Sequence, residues 1–278
     1  MMELTPELLL LAGLLLVAGA LTGVLAGVFG VGGGALMVPV LYETFGFMGY
    51  AEEVRMPLAV GTSLAIIIPT SIRSYRAHRA RGAVDDALLR AWAVPIVLGV
   101  LVGAGIARFA PTLLMQGIFV VVAGVNAVKL ISGTVKWNIG TELPGGWALR
   151  AYGAVIGLLS SLMGIGGGQI ANIIMTLHGR SMLNAVATSA GIGVLISVPG
   201  AIGYVFAGLG RGDIPPGSIG FVSLLGVALF VPTTLLTAGL GVRLAHNLSR
   251  RRLELGFGIF LLLVSARFVW AIGQELFS

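Results

Sequence analysis

Two glycine-rich stretches carry the chemistry most readily read from this chain. Gly30-Val31-Gly32-Gly33-Gly34 and Gly164-Ile165-Gly166-Gly167-Gly168 share the pattern G-x-G-G-G, each after a long apolar run and before a shorter one. Adjacent glycines interrupt a helix, because each costs roughly 1 kcal/mol against alanine in a helix interior. They also leave backbone N–H groups uncovered. A helix that starts directly after such a loop adds its own unpaired N–H groups and about half a positive charge. Loop and helix start together form a nest suited to an anion. Close helix packing is the other use of small residues, and the spacing Gly23 to Gly27 is assigned to it.

Polar side chains repeat around these loops. Gly61-Thr62-Ser63 is matched by Ala187-Thr188-Ser189. Hydroxyls donate to an anion without bringing charge into a bilayer, although they also bond between helices. Gln169 and Asn172 stand at i, i+3, on one face of the short segment after the second glycine loop. Their first-half counterparts, Ala35 and Val38, are apolar. The expected substrate-binding set is therefore Gly32, Gly33, Gly34, Thr62, Ser63, Gly166, Gly167, Gly168, Gln169, Asn172, Thr188 and Ser189. Arg73 and Arg76 are weaker candidates for attracting an anion, since most of that charge run reads as snorkelling topology determinants.

Other chemistries lack their residues. There is no cysteine, which excludes thiolate catalysis and Cys-ligated metal. His78, His178 and His246 do not have metal-ligand spacing, so no metal is expected. Neither a Walker motif nor G-x-S-x-G with its partners occurs, and no enzyme activity and no cofactor are expected. No Asp or Glu lies deep inside an apolar segment, which opposes a cation or metal permease and favours a neutral or anionic cargo.

The elements that must position these groups are membrane helices. Of 278 residues, 57% are hydrophobic and 10% charged, against about 25% charged in a soluble domain. The composition predicts an all-α polytopic membrane protein in a lipid bilayer. The net charge of +6 sits mostly at the ends of apolar runs, with no aromatic-interleaved basic patch for nucleic acid. Ten hydrophobic segments are expected, near 7–29, 35–48, 56–77, 88–108, 111–132, 148–163, 169–178, 183–208, 217–241 and 253–274. The first has Glu3 and Glu7 before it and no cleavage site, and reads as a mature helix. A polar connection is expected over 43–55 and a basic turn over 243–252. Trp137, Trp147 and Trp270 read as interface anchors.

The second half mirrors the first. The glycine loops, the Thr-Ser pairs, Pro69 with Pro199, and Arg81-Gly82-Ala83-Val84-Asp85 with Arg211-Gly212-Asp213 recur in order. The expected organisation is a first membrane repeat over 1–133, a loop over 134–147 and a second repeat over 148–278, together one transport domain. Five segments per half make the repeats inverted, with broken helices near the midplane. The same parity holds if segments one and two form a re-entrant hairpin. Loops 78–87, 132–147 and 243–252 are the most basic, which places both termini outside.

The glycine run from Gly23 to Gly34 with Val38-Pro39, the second glycine set, Gly61-Thr62-Ser63 and the turn from His78 to Asp85 resemble the TauE/SafE sulfite exporter family, also called the toluene-sulfonate uptake permeases. The resemblance covers nearly the whole chain. Ser161 departs from it, standing where the first half has Gly27. It implies a bacterial inner-membrane secondary transporter of sulfur-containing anions such as sulfite or sulfoacetate. A proton or sodium ion is the coupling partner such a carrier leaves room for, and a homodimer the assembly. A passive small-anion channel and a non-transporting scaffold stay open as alternatives.

Overall fold

The computed structural model describes residues 13, 15–24, 34–133, 139–247 and 250–277. Ten helices run through them: α1 (Leu15–Val24), α2 (Gly34–Phe47), α3 (Glu52–Ala80), α4 (Asp86–Ala107), α5 (Thr112–Ser132), α6 (Gly146–Met163), α7 (Gly168–Leu177), α8 (Met182–Gly208), α9 (Leu224–Asn247) and α10 (Arg250–Phe277). The fold is all-α and multi-pass. Six of the described helices are long and apolar enough to cross a membrane. A two-residue pair of strands, β1 (Ser218–Ile219) and β2 (Val222–Ser223), is the exception.

Burial separates inner from outer helices. In α3, 67% of the apolar window is buried, against 28% in α10. Val94, Leu98, Val102, Val121, Val125, Ile259 and Leu263 face outward from α4, α5 and α10, as residues in contact with lipid do. Helix α3 packs along α8 at the centre, and α5 along α10 at the edge. Pro39, Pro57, Pro69, Pro95, Pro199 and Pro232 lie inside helices, which neighbouring membrane helices tolerate by covering the freed backbone.

Small residues set the cross-packing. Gly99 and Gly103 of α4 meet Ala154, Leu158 and Ser161 of α6, while Gly153 and Gly157 meet Trp92 and Ile96. A Cβ at Gly153 would stand 3.0 Å from Trp92. The Trp92 indole donates to the Leu149 carbonyl at 2.8 Å. Gly19 and Gly23 of α1 meet Thr233, Thr234 and Thr237 of α9 in the same parallel sense, and Thr237 donates to the Ala20 carbonyl. Gly27, the other member of the expected packing pair, lies outside the described residues.

Three boundaries differ from expectation. Glu43 lies in α2, and Glu52, Glu53 and Arg55 form the first turn of α3, where acidic side chains complement the helix dipole. The ninth segment starts at Leu224, because 217–223 forms the strand pair with Gly220 (φ +53°) in its two-residue turn. Phe221, at that turn, is fully buried against Gly61 and Tyr204. Of the basic stretch at 243–252, residues 243–247 end α9 and residues 250–252 start α10.

Helices α6 and α7 fold back on each other. The Leu177 carbonyl accepts from Ile139 N–H at 2.9 Å, and the His178 ring meets Tyr152, in the second turn of α6, at 5.6 Å. The far end of α7 therefore lies beside the start of α6. Eighteen residues of α6 rise about 27 Å and ten of α7 about 15 Å, and the outer ends of both lie on the same side of this hairpin. The turn before α4 is on that side too, since Asp85 pairs with Arg180 at 3.4 Å. The chain has no cysteine, so single cysteines can be introduced cleanly. Cysteines replacing Gly145 and Arg180 are expected to react with a membrane-impermeant maleimide from one side, and cysteines replacing Gly49 and Gly212 from the other. Labelling of Gly145 and Arg180 from opposite sides would mean that α7 crosses fully.

Candidate functional site

The break between α6 and α7 is built by two left-handed glycines. Gly164 (φ +65°) ends α6 and Gly167 (φ +70°) starts α7. Neither site has room for a side chain, since a Cβ at Gly164 would stand 2.7 Å from Val38 Cγ2 and 2.9 Å from Val60 Cα. Gly34, the first residue of α2, sits against the same loop, with its Cβ direction 2.8 Å from the Gly164 carbonyl oxygen. The last glycine of the first stretch thus meets the second, and Ile67 of α3 lies against both Gly34 and Gly166. Gly32 and Gly33 lie outside the described residues.

Hydrogen bonds tie the loop into the protein. Ser63 Oγ donates to the Gly164 carbonyl at 2.8 Å, fully buried. Ile165 N–H returns to the Ser160 carbonyl and Gly167 N–H to the Ile165 carbonyl. Tyr204 of α8 donates to the Ser161 carbonyl at 3.0 Å. The first helical bond of α7 runs from Ala171 N–H to the Gly167 carbonyl. The N–H groups of Gly168, Gln169 and Ile170 are left with no acceptor among the described residues.

Gln169 is 6% exposed, and neither its Oε1 nor its Nε2 has a partner among the described residues. The Ser160 hydroxyl, buried beside Gly167, is likewise unpartnered. An unpaired buried amide costs free energy comparable to a lost hydrogen bond, so this is where a polar guest gains most. Ile67 and Ser71 of α3 and Ile192, Gly193 and Ile196 of α8 close the surroundings of Gly166 and Gly167. One turn on, Asn172 Oδ1 accepts from Ser189 Oγ of α8.

The two threonines have matching structural partners. Thr62 Oγ1 accepts from Ser223 N–H at 2.9 Å, at the start of α9. Thr188 Oγ1 accepts from Asp85 N–H at 3.0 Å, at the start of α4. Each holds the helix start that follows the strand pair or basic turn of the other half. Arg73 and Arg76 are exposed, about 15 and 20 Å along α3 from Ser63, and are not brought to the loop. Arg76 instead lines a recess of about 510 Å³ with Ile72, Tyr75, Arg79, Ala80 and Val194.

Several polar groups went unread in the sequence. Thr176 continues the α7 face of Gln169 and Asn172 at i+7, and its hydroxyl donates to the Asn172 carbonyl. Lys129 of α5 reaches it, with Nζ 3.4 Å from Thr176 Oγ1. The i, i+3, i+7 spacing, and a lysine inside an apolar segment, were the available signals.

Comparisons with known proteins agree with this architecture. A family model described as sulfite exporter TauE/SafE matches residues 15–268. A probable membrane transporter protein of Haemophilus influenzae is 32% identical over 253 residues, covering 91% of this chain and 96% of that protein. A probable membrane transporter protein of Methanocaldococcus jannaschii is 28% identical over 250 residues, covering 90% and 92%. The probable membrane transporter protein YunE of Bacillus subtilis is 24% identical over 278 residues, covering 92% and 97%. No solved structure matches the chain.

Ser63 and Gln169 make opposite predictions for stability. Ser63→Ala strands the buried Gly164 carbonyl and is expected to cost about 1–3 kcal/mol. Gln169→Leu removes an unpartnered amide and is expected to leave stability unchanged or raise it. Thermal unfolding of the purified variants in detergent compares them. An equal loss in both would mean that Gln169 has a structural partner.

Proposed function

The chain belongs to the sulfite exporter TauE/SafE family, and from that premise we propose that it is a secondary transporter of sulfur-containing anions, sulfite or an organosulfonate such as sulfoacetate. Family and relatives make it a membrane transporter and not an enzyme. The observation that carries the anion reading is the start of α7. Three N–H groups and the Gln169 amide, none with a partner among the described residues, are gathered at the buried N-terminus of α7. A sulfite or sulfonate group offers three oxygens and a delocalised charge to such donors.

In this reading Gly166, Gly167 and Gly168 bring the backbone close to the anion, Gly34 supplies the opposing wall, and Gly32 and Gly33 are assigned to the substrate on the sequence pattern alone. Gln169 contacts it directly. Ser63 holds the loop open through Gly164, and the Asn172–Ser189 pair extends the polar wall. Thr62 and Thr188 fix the helices around it. Arg73 and Arg76 raise the local anion concentration at the mouth. The two halves are inverted repeats that rock about this site, exposing it alternately to each side. The reciprocal pairs α4 with α6 and α1 with α9 support that relation. Transport runs on a proton or sodium gradient, in keeping with a chain that lacks a nucleotide-binding motif.

A ligand at a hundred times its dissociation constant stabilises the folded state by about 2.7 kcal/mol. Sulfite or sulfoacetate is expected to raise the unfolding temperature of the purified protein, and chloride is not. Gln169→Ala is expected to fold and to lose the shift. Saturable, gradient-driven uptake into proteoliposomes marks a carrier, whereas unsaturable passive flux marks a small-anion channel. A shift with a cation or zwitterion alone would overturn the substrate class.

A further inference from the structure

Lys129 is an unusual cation for its place. The chain has two lysines, Lys129 and Lys136, among 17 basic residues. Lys129 lies within the membrane-spanning stretch of α5, half-buried, and has no carboxylate partner among the described residues. Its Nζ donates to Thr176 Oγ1 of α7 at 3.4 Å. An ammonium has three donors, so two stay open.

Capping α7 does not account for it. The last carbonyls of that helix already have partners. The His178 ring nitrogen meets the Ile174 carbonyl, and the N–H groups of His178 and Arg180 donate to Met175. Gly179 N–H donates to Thr176, and Ile139 N–H to Leu177. The Thr176 hydroxyl donates its hydrogen bond to the Asn172 and Ile173 carbonyls, leaving its oxygen facing the ammonium.

Gln169, Asn172 and Thr176 form one stripe of α7, from the open N–H groups at its start to Lys129. Seven residues of helix make that stripe about 10 Å long. Asn126, one turn before Lys129 on α5, is buried, its amide donating to the Val122 carbonyl. We propose that Lys129 is a second anion subsite, holding the substrate oxyanion by an ammonium–oxygen contact at the α7 stripe's outer end. This deepens the transport reading above and rests on it. An oxyanion leaving the α7 N-terminus moves along the Gln169 and Asn172 amides to a charge with no carboxylate partner among the described residues, and from there to the membrane face.

The test uses the full-length protein in proteoliposomes, with radiolabelled sulfite as the probe. Lys129→Gln is expected to raise the KM for sulfite by roughly tenfold or more, the worth of one charge-assisted hydrogen bond, and Lys129→Arg to restore it. In the wild type, acylation of Lys129 by an amine-reactive ester, read by peptide mass spectrometry, is expected to slow with saturating sulfite, and that of Lys136 is not. This second measurement needs no variant to fold. An unchanged KM in folded Lys129→Gln, or sulfite-independent acylation of Lys129, overturns the subsite. If the wild type takes up sulfite saturably and Gln169→Ala abolishes that uptake while Lys129→Gln is indifferent, the subsite alone falls. If the wild type takes up no sulfur anion, the transport reading falls with it.

Discussion

A helix broken where it is buried among other helices must find partners for the carbonyls and N–H groups that the break releases, because bulk water does not reach them. The rest of this structure answers that demand at Gly164–Gly168. Ser63 and Tyr204 reach in from α3 and α8 to cover the carbonyls of Gly164 and Ser161, and the loop covers Ile165 and Gly167 itself. What stays uncovered among the described residues is three N–H donors at the start of α7, both polar atoms of the Gln169 amide and the Ser160 hydroxyl.

Satisfaction of the break also dictates which helices are central. Residues that reach the loop must come from neighbours with close backbone approach, and both α3 and α8 supply small residues there. Ser71 of α3 faces Gly193 of α8, and Gly61 of α3 faces the buried turn at Phe221. Outside this pair, apolar side chains cover helices that need only face lipid.

The helical architecture and the second glycine break were legible in the sequence because both depend on composition and local spacing. Apolar length marked the spans, and triple glycine marked where α7 begins. The face shared by Gln169 and Asn172 was legible from helical period. Thr62 and Thr188 were legible as a pair but not in their task, since their partners, Ser223 and Asp85, are distant in sequence. The strand pair was hidden because Ser218 to Ser223 reads as the apolar start of a helix, with Gly220 the one local cue. Lys129 was hidden for another reason. One charge near a helix end looks like an interfacial anchor until its neighbour on α7 is known.

The reciprocal packing of α4 on α6 and of α1 on α9 has a consequence for how the protein is made. Synthesis delivers residues 1–133 to the membrane before the partners of α1 and α4 exist. Until then the glycine faces of Gly19, Gly23, Gly99 and Gly103 have only lipid against them, and the Thr62 hydroxyl waits for a strand not yet translated. Each half is therefore an unfinished protein that the other completes, in the manner of two exchanged subunits joined by a tether. Assembly ends when the last helices arrive, and a chain interrupted in its second half leaves its first half exposed to the cell's quality control.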